Sequence, residues 1–471
     1  MSQNTTNKES IPVSVENIYK LDGRVPVAKA IPFGLQHVLA MFVSNLVPVL
    51  IVAGAAIVVN GTAEGGKLSA EEMARLLQCA MFVAGIGTTV QLYPIWKIGA
   101  GLPVVMGVSF TFVGTLLTIA TNPEWGYQGM VGAIIAGGCF EGCLGLTAKY
   151  WRKFIKPIVS ACVVTTIGFS LLSVGMNSFG GGQGAADFGA WYNLLVATIT
   201  LVSCMVFKHF AKGIWKNLNV LFGLVVGYIL SVIFTLLGVA PMINMAGFAD
   251  TIAKTGWISL PRPVFIAGYT PAFHIGAIVS LCIVFLVSAA ETIGDTTAVC
   301  TGGLGRDITE KEIQGSLAAD GFCSAFSGLF GCTPITSFSQ NVGLIAMTKV
   351  VNRFCILMGA LALILASLFP PLGAFFNSLP QAVLGGCVVM MFGSIVFSGI
   401  KMISNCGFSD RNLTIVSLAF CLGIGVTQLG DDLFKEFPPL VGSIFNGNMV
   451  AGVFVVALIL SLVLPKEKEE K

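Results

Sequence analysis

Apolar stretches of about 20 residues, enough to cross a bilayer as a helix, recur from one end of this sequence to the other. They fall near residues 33–59, 78–97, 104–120, 129–148, 157–176, 191–207 and 218–238. After a longer polar connection they resume at 273–298, 315–331, 335–348, 354–370, 380–400, 412–429 and 446–464. Only 10% of the 471 residues are charged, and the mean hydropathy is +0.87, whereas a soluble domain carries about 25% charged residues. The reading is an all-α polytopic membrane protein with fourteen transmembrane segments in two sets of seven. The polar start, Met1–Lys29, lacks the basic, apolar and small-residue order of a signal peptide. The 13 cysteines are scattered, with no metal-ligand spacing or disulfide framework. No metal and no nucleic-acid partner is expected; the expected surroundings are a lipid bilayer.

Lys and Arg give the orientation. With the N-terminus inside, 21 of the 26 fall on inside segments, among them Lys8, Lys97, Lys149, Arg152, Lys153, Arg306, Lys349, Arg353, Lys401, Lys466, Lys468 and Lys471. Lys67, Arg75, Lys254, Arg262 and Lys435 fall on outside connections. Positive charge marks the cytoplasmic side, so both termini are expected there, in a multi-pass protein of the cell membrane.

The two halves share traces of an internal repeat. Ser109-Phe110 reappears as Ser337-Phe338 at an offset of 228, and Cys162-Val163-Val164 with Gly168 as Cys387-Val388-Val389 with Gly393 at 225. Asn219 with Gly223 matches Asn448 with Gly452 at 229. Because seven is odd, the second copy enters the membrane from the opposite side, which makes an inverted repeat of the kind found in secondary transporters.

One stretch is too polar for its depth. Gly331–Lys349 reads GCTPITSFSQNVGLIAMTK, with Pro334 near its start and Ser337, Ser339, Gln340 and Asn341 crowded in the middle. Broken polar backbone at membrane depth is tolerated where protein buries it or where it lines a cavity. In transporters that place is typically the substrate site, a short extended piece feeding a half-helix.

Four acids also lie within spans: Glu141, Glu291, Asp295 and Asp320. With every Lys and Arg assigned to connections or tails, these acids must be protonated, face water, or bind something rich in N–H donors. Glu291 and Asp295 are four apart and share a helix face; their duller reading is a pair bonded to hydroxyls such as Thr292. Asp320 could merely cap a helix, and His37 could be a satisfied interhelical bonder. Glu141, among glycines in GGCFEGCLG, matches no motif. Buried carboxyls favour a proton as coupling ion; sodium stays open.

Gln340 can pair with an edge that presents both N–H and C=O, and a carboxylate at Glu291 accepts N–H groups only. Phe110 and Phe338, each beside a serine in a broken span, read as faces on which a planar ligand stacks. Together these groups suit a flat heterocycle such as an oxidised purine or pyrimidine.

Ser339-Gln340-Asn341-Val342-Gly343, continuing to Thr348-Lys349, resembles the signature motif of the nucleobase–ascorbate transporter family, the nucleobase:cation symporter-2 family. Gln36-His37-Val38-Leu39-Ala40-Met41-Phe42 resembles its first-span motif, and Glu291-Thr292-Ile293-Gly294-Asp295 its eighth. The resemblance implies two inverted seven-span repeats with short strands opening spans 3 and 10. It implies a core domain at 31–150 and 273–371, a gate domain at 151–240 and 372–464, and an extracellular connection at 241–272. Tails at 1–30 and 465–471, a homodimer and an elevator-type cycle complete the expectation. By position, Glu291 and Gln340 would bind the base, flanked by Phe110 and Phe338. Asp320 and His37 would support proton coupling, Asn341 would hold span 10 and Asp295 span 8. Glutamine at 340 and aspartate at 320 imply xanthine or uric acid; Ser109, with Ser337 its repeat partner, would leave room at the site edge. A uracil permease of the same family is the near alternative. An anion exchanger of the same architecture is the distant one, disfavoured by an acidic midplane without arginine. No phosphate loop or nucleophile–base pair suggests an enzyme.

Overall fold

The computed structural model describes residues 13–59, 66–151, 156–182, 184–243, 245–429, 431–434 and 436–465. Lys8, Arg152, Lys153, Lys435, Lys466, Lys468, Lys471, residues 1–12 of the N-terminal tail and most of the C-terminal tail lie outside the described residues. The first half runs α1 (Val27–Ala55), α2 (Ala70–Leu92), β1 (Met106–Val108), α3 (Val113–Ala120), α4 (Gly126–Leu146), the single turn α5 (Ala148–Trp151), α6 (Pro157–Phe179), α7 (Trp191–Phe210) and α8 (Asn219–Leu236). A helix the sequence reading did not anticipate, α9 (Met245–Thr255), occupies the long connection. The second half runs α10 (Ile275–Ala298), α11 (Glu310–Leu329), β2 (Ile335–Ser337), α12 (Ser339–Thr348), α13 (Arg353–Ala366), α14 (Pro370–Asn377), α15 (Gln381–Asn405), α16 (Asp410–Gly425), α17 (Pro439–Phe445) and α18 (Met449–Val463).

Eight of the described helices are long and apolar enough to cross a bilayer. The other six expected spans depart from that form for physical reasons. The third and tenth are a strand followed by a half-helix. The ninth, α11, is polar because Ser316, Asp320, Ser324 and Ser327 stand along it, each 0% exposed. The eleventh bends by 81° between α13 and α14, where Pro370 opens a new helix. The thirteenth and fourteenth, α16 and α18, are 16 and 15 residues long.

The strands explain how broken backbone survives at depth. Pro103 lies three residues before β1 and Pro334 directly before β2, and proline pushes its predecessor toward extended backbone. β1 and β2 pair antiparallel in the register Met106↔Ser337, Gly107↔Thr336 and Val108↔Ile335. Only two strands are present among the described residues, so each has an outer edge, and an unpaired edge in apolar surroundings is costly. Side chains cover both. On the β1 edge, Met106 N–H donates to Thr88 Oγ1 at 2.9 Å, and Val108 N–H donates to Asn45 Oδ1 at 2.7 Å. On the β2 edge, Ile335 N–H donates to Ser324 Oγ at 3.1 Å, and that hydroxyl donates to Ile335 C=O at 2.7 Å.

Small residues let the surrounding helices close in. α4 and α11 touch backbone to backbone: a Cβ on Gly145 would strike Ala318, and one on Gly138 would strike Gly321 and Ala325. α1, α2, α4, α10, α11 and α13 pack together around the strands, whereas α6, α7, α8, α15, α16 and α18 pack on one another. The repeat positions fall at equivalent contacts. Gly223 brings α8 against Cys204 of α7, and Gly452 brings α18 against Gly423 of α16. The chain is a multi-pass membrane protein of two inverted seven-span repeats.

One assignment of charge is corrected. Arg75 lies within α2, not in an outside connection. The helix starts at Ala70, well before the apolar run, because Ser69 Oγ accepts the Glu72 N–H at 3.2 Å. The guanidinium is buried, with the side chain 7% exposed, and it pairs with Glu72 at 2.7 Å. It also donates to the carbonyls of Arg262 and Phe330 at 2.9 and 3.2 Å. It sits about 20 Å of helix before Thr88, so it brings no cation to the strand pair.

Candidate functional site

The two half-helices begin at the strand pair and leave it in opposite directions. α12 starts directly after β2, so Ser339, Gln340 and Asn341 form its first turn. α3 is reached from β1 through Ser109 and a tight turn over Phe110–Phe112. Helix N-termini carry unspent N–H groups and partial positive charge, so the middle of the protein has two such ends and no Lys or Arg among the described residues there.

α10 lays its acids across these ends. Thr111 Oγ1 donates to Glu291 Oε2 at 2.7 Å, fixing Glu291 beside the start of α3. One turn on, Asp295 accepts from Ser337 Oγ at 2.8 Å and from Ser339 Oγ at 2.9 Å, fixing it at the start of α12. Gln340 follows Ser339 in the chain, and Glu291 precedes Asp295 by one turn of α10. Gln340 Oε1 accepts from Ser44 Oγ of α1 at 3.3 Å. Among the described residues, Gln340 Nε2 donates to nothing and Glu291 Oε1 accepts nothing. Gln340 is exposed and Glu291 is partly so. One open donor and one open acceptor therefore remain at the meeting point of α10 and α12.

Behind them, Asp320 of α11 is 0% exposed. Its Oδ2 accepts from the hydroxyls of Thr292 at 2.5 Å, Thr336 at 2.7 Å and Ser288 at 3.4 Å, while Oδ1 has no partner. Asp320 is thus no helix cap; it ties α10 and β2 to α11. His37 and Asn341 also meet. Asn341 Nδ2 donates to the His37 carbonyl at 3.1 Å and lies 3.1 Å from His37 Nδ1. The structure therefore brings His37, Glu291, Asp295, Asp320, Gln340 and Asn341 onto one strand pair.

The aromatic and serine expectations divide. Phe110 stays partly exposed and meets the Phe392 ring of α15 edge-on, with centroids 5.4 Å apart. Phe338 does not offer an open face. It is 7% exposed and packed with Val38, Met41 and Val105, over Gly107, where any Cβ would touch its ring. Ser109 is buried and its hydroxyl accepts the Thr111 N–H at 3.2 Å, so it too is spent on local structure. Ser337 is spent on Asp295.

Several participants were not singled out from sequence. Ser44, Thr88, Thr111, Ser288, Ser324 and Thr336 supply hydroxyls to the site or the strand edges. Their signal is weak, because hydroxyls in spans more often bond back to their own helix, as Thr165 and Thr200 do here. Among the described residues, no three His, Cys, Asp or Glu side chains are grouped to hold a metal ion.

Comparison with known proteins agrees with this picture. Residues 28–431 match the Permease family. A xanthine permease of Bacillus subtilis is 34% identical over 437 residues, covering 92% of this chain and 93% of that protein. A putative purine permease of Clostridium perfringens is 32% identical over 466 residues, covering 98% and 95%. Two solved structures share the fold at low identity. The transmembrane domain of the cyanobacterial bicarbonate transporter BicA has a TM-score of 0.55 at 14% identity, over 92% of this chain and 97% of that one. The murine anion transporter Slc26a9 has a TM-score of 0.59 at 12% identity, over 98% and 73%.

Proposed function

The chain belongs to the Permease family, the nucleobase–ascorbate transporters, and on that premise we propose that it imports a purine nucleobase, xanthine or uric acid, together with protons. The observation that carries this reading is the pair of open groups at Glu291 and Gln340. Ser44 occupies the Gln340 carbonyl, which leaves the amide N–H to reach a purine carbonyl. Thr111 occupies one Glu291 oxygen, which leaves the other to accept a ring N–H. Xanthine and uric acid present adjacent N–H and C=O groups on a flat edge. Phe110 supplies the aromatic surface beside them. The named substrates of the bacterial relatives, xanthine and purine, support the same class.

Coupling follows from the acids. With no cation at the strand pair, Glu291, Asp295 and Asp320 share one negative neighbourhood whose charge protons can lower. Protons on both Asp320 and Asp295 would leave Glu291 as the one carboxylate of the three, free to accept from the base. We assign 31–150 and 273–371 to a core domain carrying the site, and 151–240 and 372–464 to a gate domain, as the two packing groups suggest. Elevator-type movement of one against the other, a homodimer and cytoplasmic termini belong to the same proposal.

An anion carrier of this fold would aim a basic residue or bare helix ends at its substrate; here Glu291 and Asp295 cover both half-helix ends. Uptake of radiolabelled xanthine, competed by uric acid, uracil, guanine and hypoxanthine, tests the assignment. Competition by uric acid but not by uracil supports it; selective competition by uracil makes the chain a uracil permease instead.

A further inference from the structure

Glu141 of α4 is 0% exposed, and neither of its carboxyl oxygens has a hydrogen-bond partner. The residue stands where α4 crosses α11 at the closest approach. A Cβ on Gly321 would run into Gly142 and the carbonyl carbon of Glu141 itself. The residue before Gly321 is Asp320, whose Oδ1 is likewise buried and unpartnered. The two helices packed closest along α4 carry Asp320, on α11, and Glu291 and Asp295, on α10. The third helix packed on α4, α3, carries no titratable side chain. Glu310, Lys311 and Glu312 open α11 two to three turns away, beyond the Gly145 contact with Ala318.

An ionised carboxylate with no cation and no hydrogen bond costs several kcal/mol to bury, so Glu141 carries a proton here. Its O–H then has no acceptor, while Asp320 Oδ1, one helix crossing away, has no donor. The two deficits are complementary. Glu141 does not serve packing either, because a well-packed apolar side chain would stabilise this helix crossing as well or better.

We propose that Glu141 is a second proton-carrying carboxyl of the transport cycle, exchanging its proton with Asp320 across the α4–α11 contact. In the transfer the Glu141 O–H bond breaks and a new O–H bond forms at Asp320 Oδ1. The negative charge passes to Glu141, and a hydronium ion arriving with water as the site opens returns a proton to it and leaves neutral water. Glu141 acts through Asp320 and does not touch the base. The proposal rests on the proton-symport reading above.

The test uses the full chain in proteoliposomes with radiolabelled xanthine. Under a gradient of one pH unit, the parent protein should concentrate xanthine about tenfold, the ratio one pH unit can supply for each proton carried. Glu141→Gln, which is isosteric and cannot ionise, should still exchange internal for external xanthine but lose gradient-driven accumulation and substrate-linked proton uptake. Glu141→Asp should restore accumulation with a shifted pH profile. Accumulation and a pH profile like the parent's in Glu141→Gln would overturn the proposal, and so would loss of exchange together with accumulation in a protein present in the membrane. Should Glu141→Gln be absent from the membrane, Glu141→Asp decides: a shifted pH profile supports the proposal and an unshifted one overturns it. If the parent exchanges xanthine but does not concentrate it, the symport reading fails first and this proposal falls with it.

Discussion

Thr88 and Ser324 hold the two outer edges of one strand pair in the same way. Thr88 of α2 accepts from Met106 N–H and donates to its carbonyl at 3.4 Å; Ser324 of α11 accepts from Ile335 N–H and donates to its carbonyl at 2.7 Å. Helices two and nine of a seven-plus-seven chain are repeat partners, so the same device appears twice, once per half. It lets a strand end in mid-membrane without an orphaned backbone group.

Removing either hydroxyl should therefore cost stability rather than alter substrate recognition. Ser324→Ala leaves a buried N–H and C=O unpaired, a loss of about 1–3 kcal/mol. Thr88→Val should behave alike. The thermal unfolding midpoint of purified protein in detergent checks this; an unchanged midpoint for both would mean that other groups satisfy those edges.

Glu291→Gln should abolish xanthine uptake while the protein still reaches the membrane. The amide keeps the Thr111 contact but turns an acceptor for the ring N–H into a mixed group. Uptake at the parent rate would remove Glu291 from the site.

Gln340→Glu should weaken xanthine binding by about tenfold or more, because a third acid joins Glu291 and Asp295 and the amide donor is lost. The apparent KM for uptake, or competition of bound label, reads the effect. Unchanged affinity would show that Gln340 does not touch the base.

Gly321→Ala should destabilise the protein by about 1–3 kcal/mol, since the added methyl meets the backbone of Gly142 and Glu141. Gly54→Ala, where a Cβ meets nothing within 4 Å, should be neutral or slightly stabilising. Membrane abundance and unfolding midpoints of the two variants should diverge; equal behaviour would contradict the close α4–α11 contact.

Much of this fold was legible because hydropathy and charge respond to the bilayer directly. The spans, the broken third and tenth segments and the acids at the strand pair all stand out as violations of lipid compatibility. What escaped did so for local reasons. Arg75 hid in α2 because the polar first turn capped by Ser69 looks like loop until the Ser69–Glu72 bond is seen. The burial of Phe338 over Gly107 escaped because nothing in the sequence tells that Gly107 lies under its ring. The duller reading of Glu291 and Asp295, a pair bonded to hydroxyls such as Thr292, does not hold for that residue, because Thr292 serves Asp320, a choice that depends on how α10 and α11 cross. Asp320 looked like a possible cap and became a tie between three elements. Glu141 matched no motif, and its isolation became visible only with both oxygens seen unpartnered.

The central claim is that open groups at Glu291 and Gln340 read a purine whose entry is driven by protons. Initial uptake of radiolabelled xanthine by cells expressing the chain, with and without a protonophore, tests it most directly. The account predicts saturable uptake that collapses when the proton gradient is dissipated and is absent in Glu291→Gln. Uptake that persists with the protonophore under a sodium gradient alone would contradict it.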